Sequence, residues 1–292
     1  MSKLRDAIQA RRFVVSGEIG PPKGVDIDKC LEDAEMLRER VIAYNVTDLQ
    51  SAVMRIGSLA ISAKLVEHGL EPVYQLTCRD RNRLALQSDL LSAWVLGIEN
   101  VLCLTGDHPN LGDHIQAKPV YDLDSVQLLK VASTLNQGKD MTGHELEGKP
   151  DLFLGAVVTP GADPLEPQII KMKKKIDAGA RFFQTQAVFD PERFETFINQ
   201  AQTFKIPIMA GVIVLKSPAM ARFMNQNVAG VSVPDNLVAE MEEVDREDRK
   251  KKAVEITARI IREVKPLCQG VHIMALGWEE LVPDIIQQAG LS

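Results

Sequence analysis

Short runs of β-branched and apolar residues alternate with longer amphipathic stretches almost from end to end of the chain. The short runs predict strands near Phe13–Ile19, Ile42–Asp48, Pro72–Cys78, Asn100–Gly106, Phe153–Thr159, Phe182–Val188, Pro207–Leu215 and Val271–Leu276. Between them, helical patterns fall near Asp26–Arg40, Gly57–His68, Asn82–Leu96, Asp124–Asn136, Pro164–Ala178, Asp190–Thr203 and Ala219–Gln226, and Trp278–Gln288 closes the chain. Asp190-Pro191 reads as an N-cap with proline in the first turn, and Gly69, Gly97 and Gly179 stand where helices should stop. Strict alternation of strand and helix implies parallel pairing through crossover helices. Eight such units are the rhythm of an α/β fold, a single (β/α)8 TIM-type barrel over residues 1–292, with a doubly wound open sheet as the alternative.

Three segments break the rhythm. Asp107–Asp122, rich in His, Pro, Gly and Asp, predicts a long loop after the fourth strand, and Gly138–Pro150 a polar connection before the fifth. Pro234–Lys265 predicts an extra helical insertion before the last strand, with its charges in solvent and Ala253, Val254, Ile256, Ile260 and Ile261 packed inward.

Composition narrows the classes. With 45% hydrophobic and 25% charged residues the 292-residue chain can bury a sizeable core, and its net charge of −6 argues against general nucleic-acid binding. The first residues, MSKLRDAIQARRF, are charged and helical without the apolar core of a secretion signal, and no apolar run reaches the roughly 20 residues a bilayer span needs. A cytoplasmic location is the expectation. Cys30, Cys78, Cys103 and Cys268 show no CxxC spacing, so reduced, mostly buried thiols are expected and no metal site.

In a barrel the chemistry gathers at the C-terminal ends of the strands. Those ends supply Glu18, then Thr47 and Asp48, Gln75 and Thr77, Thr105-Gly106-Asp107, Thr159, and Gln184-Thr185-Gln186. Glu18 stands out, because a carboxylate inside Phe-Val-Val-Ser-Gly-Glu-Ile is costly to bury without a partner. A carboxyl group in a partly dry pocket favours its protonated, proton-donating form; an N-cap or salt-bridge role is the competing reading. Gly106 allows close backbone approach to a planar ligand beside Asp107, although a turn-forming Asp before His-Pro explains the same residues. Lys171 and Lys175 share a helix face from which one could reach a ligand phosphate, while Lys173 and Lys174 read as solvated. Gln184 and Gln186, two apart, point to one side of their strand. Lys216 is the one lysine near a strand end that could suggest a Schiff base, and it could equally cap the mouth.

Glu18-x-x-Pro21-Pro22, Leu76-Thr77-Cys78, Gly106-Asp107 and the run KKIDAGARFFQTQAVFD from Lys174 to Asp190 together resemble the methylenetetrahydrofolate reductase family, flavin-containing (β/α)8 barrels, over most of the chain. The resemblance implies reduction of 5,10-methylenetetrahydrofolate to 5-methyltetrahydrofolate. It implies that Glu18 protonates the ring nitrogen, that Asp107 binds the pterin close to the flavin, and that Gln186 hydrogen-bonds the folate. Thr47 and Lys175 match flavin-contacting positions, Lys175 toward phosphate; Gln75 and Gly106 join them as candidate cofactor-binding residues.

The family often begins FEFFPP where this chain has GEIGPP, commonly has arginine at the position of Thr105, and has an aromatic residue at Met274. These departures leave FMN beside FAD as the implied cofactor, and NAD(P)H or a partner subunit as the electron source. A homo- or hetero-oligomer is expected. The alternatives are a flavin-free pterin-binding methyltransferase barrel and a non-catalytic folate-binding subunit of a larger complex.

Overall fold

The computed structural model describes residues 2–291. Eight parallel strands close into a barrel in chain order: β1 (Val14–Ile19), β2 (Ala43–Val46), β3 (Pro72–Thr77), β4 (Asn100–Leu104), β5 (Phe153–Val158), β6 (Phe182–Ala187), β7 (Ile208–Ile213) and β8 (Gly270–Met274). The seam is β1 against β8, with Val14 paired to Gly270 and Ser16 to His272. The open-sheet alternative is thereby excluded. The outer layer comprises α2 (Asp28–Met36), α3 (Ser58–Glu67), α4 (Arg83–Val95), α5 (Ser125–Asn136), α6 (Glu166–Asp177), α7 (Pro191–Ala201), α8 (Pro218–Asn227), α9 (Asp235–Glu242), α10 (Arg249–Val264) and α11 (Val282–Gln288), preceded by α1 (Lys3–Gln9).

Two apolar clusters hold the molecule. The larger lies between the strands' outward residues and the helices; the smaller joins Leu4, Ala7 and Ile8 of α1 to Val14, Ala43, Val73, Leu102, Phe153, Phe182 and Met209. Helix α1 therefore closes the N-terminal end of the barrel. The charged N-terminal stretch concealed this plug, because only three apolar residues in seven carry it. Arg5 locks it by pairing with Asp151, and its guanidinium lies 5.4 Å from the Phe153 ring centroid.

Gly155 on β5 exists for packing. A Cβ there would lie 2.3 Å from the Phe182 ring, which is itself stacked on Phe153 at 5.0 Å between centroids. Gly155→Ala is expected to cost about 1–3 kcal/mol by overpacking, read as a lowered urea or thermal midpoint. An unchanged midpoint would mean that Phe182 swings aside without loss.

The insertion before β8 is divided differently from the expectation. Helix α10 buries Ala253, Val254, Ile256, Ile260 and Ile261 as predicted, but it packs on β7, α7 and α11 and so completes the outer ring itself. The additional elements are α8 and α9, which pack on each other. Several other elements are shorter than their patterns, although α8 runs one residue further at each end than the expected Ala219–Gln226. Predicted Asp26–Arg40 contracts to Asp28–Met36, and β2 ends at Val46, leaving Thr47 and Asp48 just beyond it. Cys30, Cys78 and Cys103 are buried and Cys268 is half-buried, all as free thiols. Burial pushes Cys30 up to about 11 and Cys78 up to about 12, which makes them poor nucleophiles. Among the described residues no helix is long and apolar enough to cross a membrane, and no three His, Cys, Asp or Glu side chains gather as metal ligands.

Candidate functional site

Above the α1 plug the barrel interior turns polar. Asn45 Nδ2 donates to Gln184 Oε1 at 2.6 Å and Gln184 Nε2 returns a bond to Asn45 Oδ1 at 3.0 Å, so these two buried amides satisfy each other across the barrel. At the β1–β8 seam the Ser16 hydroxyl lies 3.1 Å from His272 Nδ1, and His272 Nε2 lies 3.7 Å from Glu18 Oε2. Gln184 is thus committed to structure, which separates it from Gln186 despite their shared face.

A cavity of about 380 Å³ opens from this polar layer to the C-terminal mouth, within the size range of small-molecule sites. Its walls include Glu18 from β1, Gln75 and Thr77 from β3, Gly106 and Asp107 after β4, Thr159 after β5, Gln186 from β6 and Met274 from β8. Glu18 is 8% exposed, its carboxyl group makes no hydrogen bond with a described residue, and it also borders a second cavity that contains Arg55 and Glu279. The strand alternation explains its placement: Val14, Ser16 and Glu18 face inward, while Val15, Gly17 and Ile19 face the helices.

Asp107 is exposed at the cavity rim, and its backbone rather than its carboxylate is anchored. The Asp107 carbonyl accepts from Arg79 Nη1 at 3.2 Å and from the Tyr121 hydroxyl at 3.2 Å. Gly106, at φ +91°, has no room for a side chain, since a Cβ would meet Arg79 Cβ at 3.0 Å and Thr77 Cβ at 3.1 Å. Gln186 is aimed by a bulge. The β6–β7 register shifts between Gln184 and Ala187, Thr185 Oγ1 accepts from Gly211 N at 2.9 Å, and Gln186 Oε1 accepts from Ala187 N at 3.0 Å. Its Nε2 donates to no described residue.

Lys175 is buried in the cavity wall, and its ammonium donates to the Val157 carbonyl at 2.6 Å. Burial, and secondarily the nearby Lys171 charge, push its amine down to about 8. Lys171 reaches the same wall, whereas Lys173 pairs with Asp177 on the solvent side at 2.8 Å. Gln75 lines the cavity, and its carbonyl accepts from the Ser58 hydroxyl at 2.9 Å. Thr47 does not line the cavity: it is buried just behind, with its hydroxyl unpaired among the described residues. Its neighbour Asp48 does, but Asp48 is clamped by the Thr77 hydroxyl at 2.8 Å and by Arg81 at 2.7 Å. Lys216 bonds the Leu276 carbonyl and sits 5.0 Å over the Trp278 ring, a cap on the mouth.

Sequence reasoning missed Ser16, Arg79 and His272. The signal for the first and last was the same two-residue period that exposed Glu18, since Ser16 lies two before it and His272 is the one polar residue in GVHIM. Arg79, 2% exposed, lies beyond β3 in a segment where charge ordinarily means solvent.

The closed parallel barrel, with its floor sealed by a helix and a polar cavity at the C-terminal mouth, defines a (β/α)8 protein with a ligand site of the kind barrel enzymes use. The family model described as methylenetetrahydrofolate reductase matches residues 3–290, and the chain belongs to that family. Similar proteins include methylenetetrahydrofolate reductase 2 of Schizosaccharomyces pombe, 26% identical over 250 residues, which cover 78% of this chain and 37% of that one. A probable NADPH-type reductase of Caenorhabditis elegans is 22% identical, over 99% of this chain and 44% of its own length. The 5,10-methylenetetrahydrofolate reductase of Pectobacterium carotovorum subsp. carotovorum is 27% identical, over 83% of this chain and 78% of its own. The chain thus spans about two-fifths of the yeast and nematode relatives but most of the bacterial one. Among solved structures, a Clostridium thermocellum protein described as binding two copies of 5-methyl-5,6,7,8-tetrahydrofolic acid shares the fold at TM-score 0.64, with 18% identity over 98% of this chain and 97% of that one.

Proposed function

We propose that this protein is a cytoplasmic, flavin-dependent methylenetetrahydrofolate reductase that forms 5-methyltetrahydrofolate. The observation that carries the reading is Glu18: a buried carboxyl group, free of hydrogen bonds among the described residues, on the wall of the cavity shared with Asp107 and Gln186. A binding site alone has no use for an acid held this way.

The residues present fit a flavin. Lys175 has spare donors on a buried ammonium and Lys171 stands beside it, a pairing suited to a phosphate. Gly106, packed tightly against Arg79 and Thr77, presents backbone on the cavity wall beside Asp107, and the buried Thr47 hydroxyl is unpaired among the described residues. Gln75 offers a side-chain amide on the same wall. When bound, the flavin supplies the hydride that turns the methylene carbon into a methyl group. FAD is the first expectation; Thr105 and Met274, at positions where the family commonly has arginine and an aromatic residue, favour a test of FMN as well.

The chain's own residues would bind, orient and protonate. Asp107 accepts the paired N–H groups of the pterin, and the Gln186 amide donates to the folate, fixing the ring over the floor. Glu18 gives its proton to the ring nitrogen that leaves the methylene carbon, opening the five-membered ring to an iminium. The buried wall keeps water from the reacting carbon. Folate binding by the Clostridium thermocellum protein of the same fold is in keeping with a pterin at this mouth.

The test is an absorption spectrum of the purified protein, identification of the flavin released on denaturation, and anaerobic reoxidation of the reduced form by methylenetetrahydrofolate. A flavin spectrum that returns on adding that substrate supports the reading. A protein that stays colourless and takes up neither FAD nor FMN moves it to a methyltransferase or a binding subunit. Reduction of the bound flavin by NADH or NADPH with no other protein present would rule out an obligatory partner subunit.

A further inference from the structure

Ser16, His272 and Glu18 form a buried row inside the barrel, at 0%, 3% and 8% exposure, across the β1–β8 seam. Ser16 and His272 are register partners, so the strand pairing itself brings the hydroxyl to 3.1 Å from Nδ1 and turns Nε2 toward the Glu18 carboxyl group, 3.7 Å away. We propose that His272, its ring held by Ser16, is a positioning residue for Glu18 that presents Nε2–H to the carboxylate left when Glu18 gives up its proton. This rests on the reading of Glu18 as the acid of a folate reductase.

The chemistry of the partners selects the arrangement. A serine hydroxyl can donate to or accept from imidazole, but a bare Nε2 facing a carboxylate would set two lone pairs against each other. Ser16 Oγ–H donating to Nδ1 leaves the proton on Nε2, which is the tautomer that suits a carboxylate. The 3.7 Å separation is longer than a hydrogen bond, so Glu18 is not tied down and its carboxyl group remains available to the cavity. Asn45, the register partner of Glu18 on β2, is occupied by Gln184. The imidazole is therefore the group on the floor with a free polar atom aimed at the acid, and both it and Glu18 line the cavity. A histidine kept in this strand only for packing would not need a serine to orient it.

Two experiments test this. In flavin-free protein labelled with 15N-histidine, one signal among the five histidines should report a protonated Nε2 and a bare Nδ1, and Ser16→Ala and Glu18→Gln should each move that signal. A signal showing a protonated Nδ1, or one indifferent to both changes, would overturn the proposal. In the flavin-loaded protein, reduced beforehand with dithionite, His272→Leu should slow reoxidation by saturating methylenetetrahydrofolate about 10- to 100-fold, less than loss of the acid itself. The substrate concentration at half-maximal rate should change less than about twofold, since the cavity's ligand-binding groups are untouched. His272→Gln, which keeps an N–H near the Nε2 position, should restore most of the rate. In the Glu18→Gln background His272→Leu should add nothing, because the group it serves is gone. Equal slowing in both backgrounds would make His272 independent of Glu18 and refute the proposal. If His272→Leu does not fold or take flavin, the Gln variant and Ser16→Ala, expected to slow the same step by about 3- to 10-fold, carry the test against the same double-mutant criterion. Glu18→Gln that reoxidises as fast as the unaltered protein removes the acid reading itself, a result separate from any outcome at His272.

Discussion

Glu18→Gln is expected to leave the flavin bound and to slow its reoxidation by methylenetetrahydrofolate by about 10²- to 10⁴-fold, the range over which a general acid contributes. Shape survives the change: the amide has the volume of the acid, and the Ser16–His272 contact beneath it is unaffected. What disappears is the proton. Reduction of the flavin by an electron donor should proceed at its normal rate, because no proton from this position is required there. The pair of rates, measured anaerobically by stopped flow, is therefore diagnostic. Equal losses in both half-reactions would mean that Glu18 shapes the site rather than acting in it.

Lys175→Met is expected to split stability from cofactor affinity. At pH 7 flavin should bind about 10- to 100-fold more weakly, the loss of a charged hydrogen bond to phosphate. The flavin-free fold should be at least as stable as before, because the variant no longer buries an ammonium. The pH dependence follows from Lys175 sitting at about 8 in the folded protein against an ordinary 10.5. Between those values the unfolded chain holds the proton that the folded chain has released, so this lysine's contribution to stability rises with pH across the window. Below it the penalty is full, on the order of 3 kcal/mol. Relative to Lys175→Met, the unaltered protein should therefore gain stability from pH 8 to about 10, while its flavin affinity falls as the ammonium discharges. Thermal midpoints and flavin titrations at three pH values check both slopes. A variant that binds flavin unchanged would assign the phosphate to other groups.

Most of the architecture was legible because barrels are written in a simple code. Each strand is short and rich in apolar and β-branched residues and each helix carries one stripe, and the eight-fold alternation admitted only two topologies. The lining of the candidate cavity was legible where a polar residue interrupted or followed an apolar strand, as with Glu18, Gln186 and the Gly106-Asp107 step. What escaped was whatever depends on pairing between distant strands. Nothing in sequence says that Gln184 is consumed by Asn45, 139 residues away, or that Asp48 is spent on Thr77 and Arg81. Thr47 and Asp48 are adjacent, yet one faces the wall's interior and the other the cavity, and that difference was set by where β2 ends. The helix that seals the floor was hidden for a related reason, since its few apolar residues find partners on seven different strands.

That plug also sets a clock on biogenesis. At roughly 5–20 residues per second, the 256 residues that separate Ser16 from His272 take between about 13 s and 50 s to emerge from the ribosome. Throughout that interval β1 lacks its partner across the seam, because Gly270 to Ile273 form the eighth strand of the barrel and β1 the first. The apolar side of α1 waits as well, since its contacts reach as far as Met209. The molecule therefore cannot close progressively as it is synthesised; it must keep an incomplete, sticky barrel protected and then shut it in one late event. Chaperone dependence during expression, relieved once β8 is released, is the expected cellular face of a seam that joins the first strand of the barrel to the last.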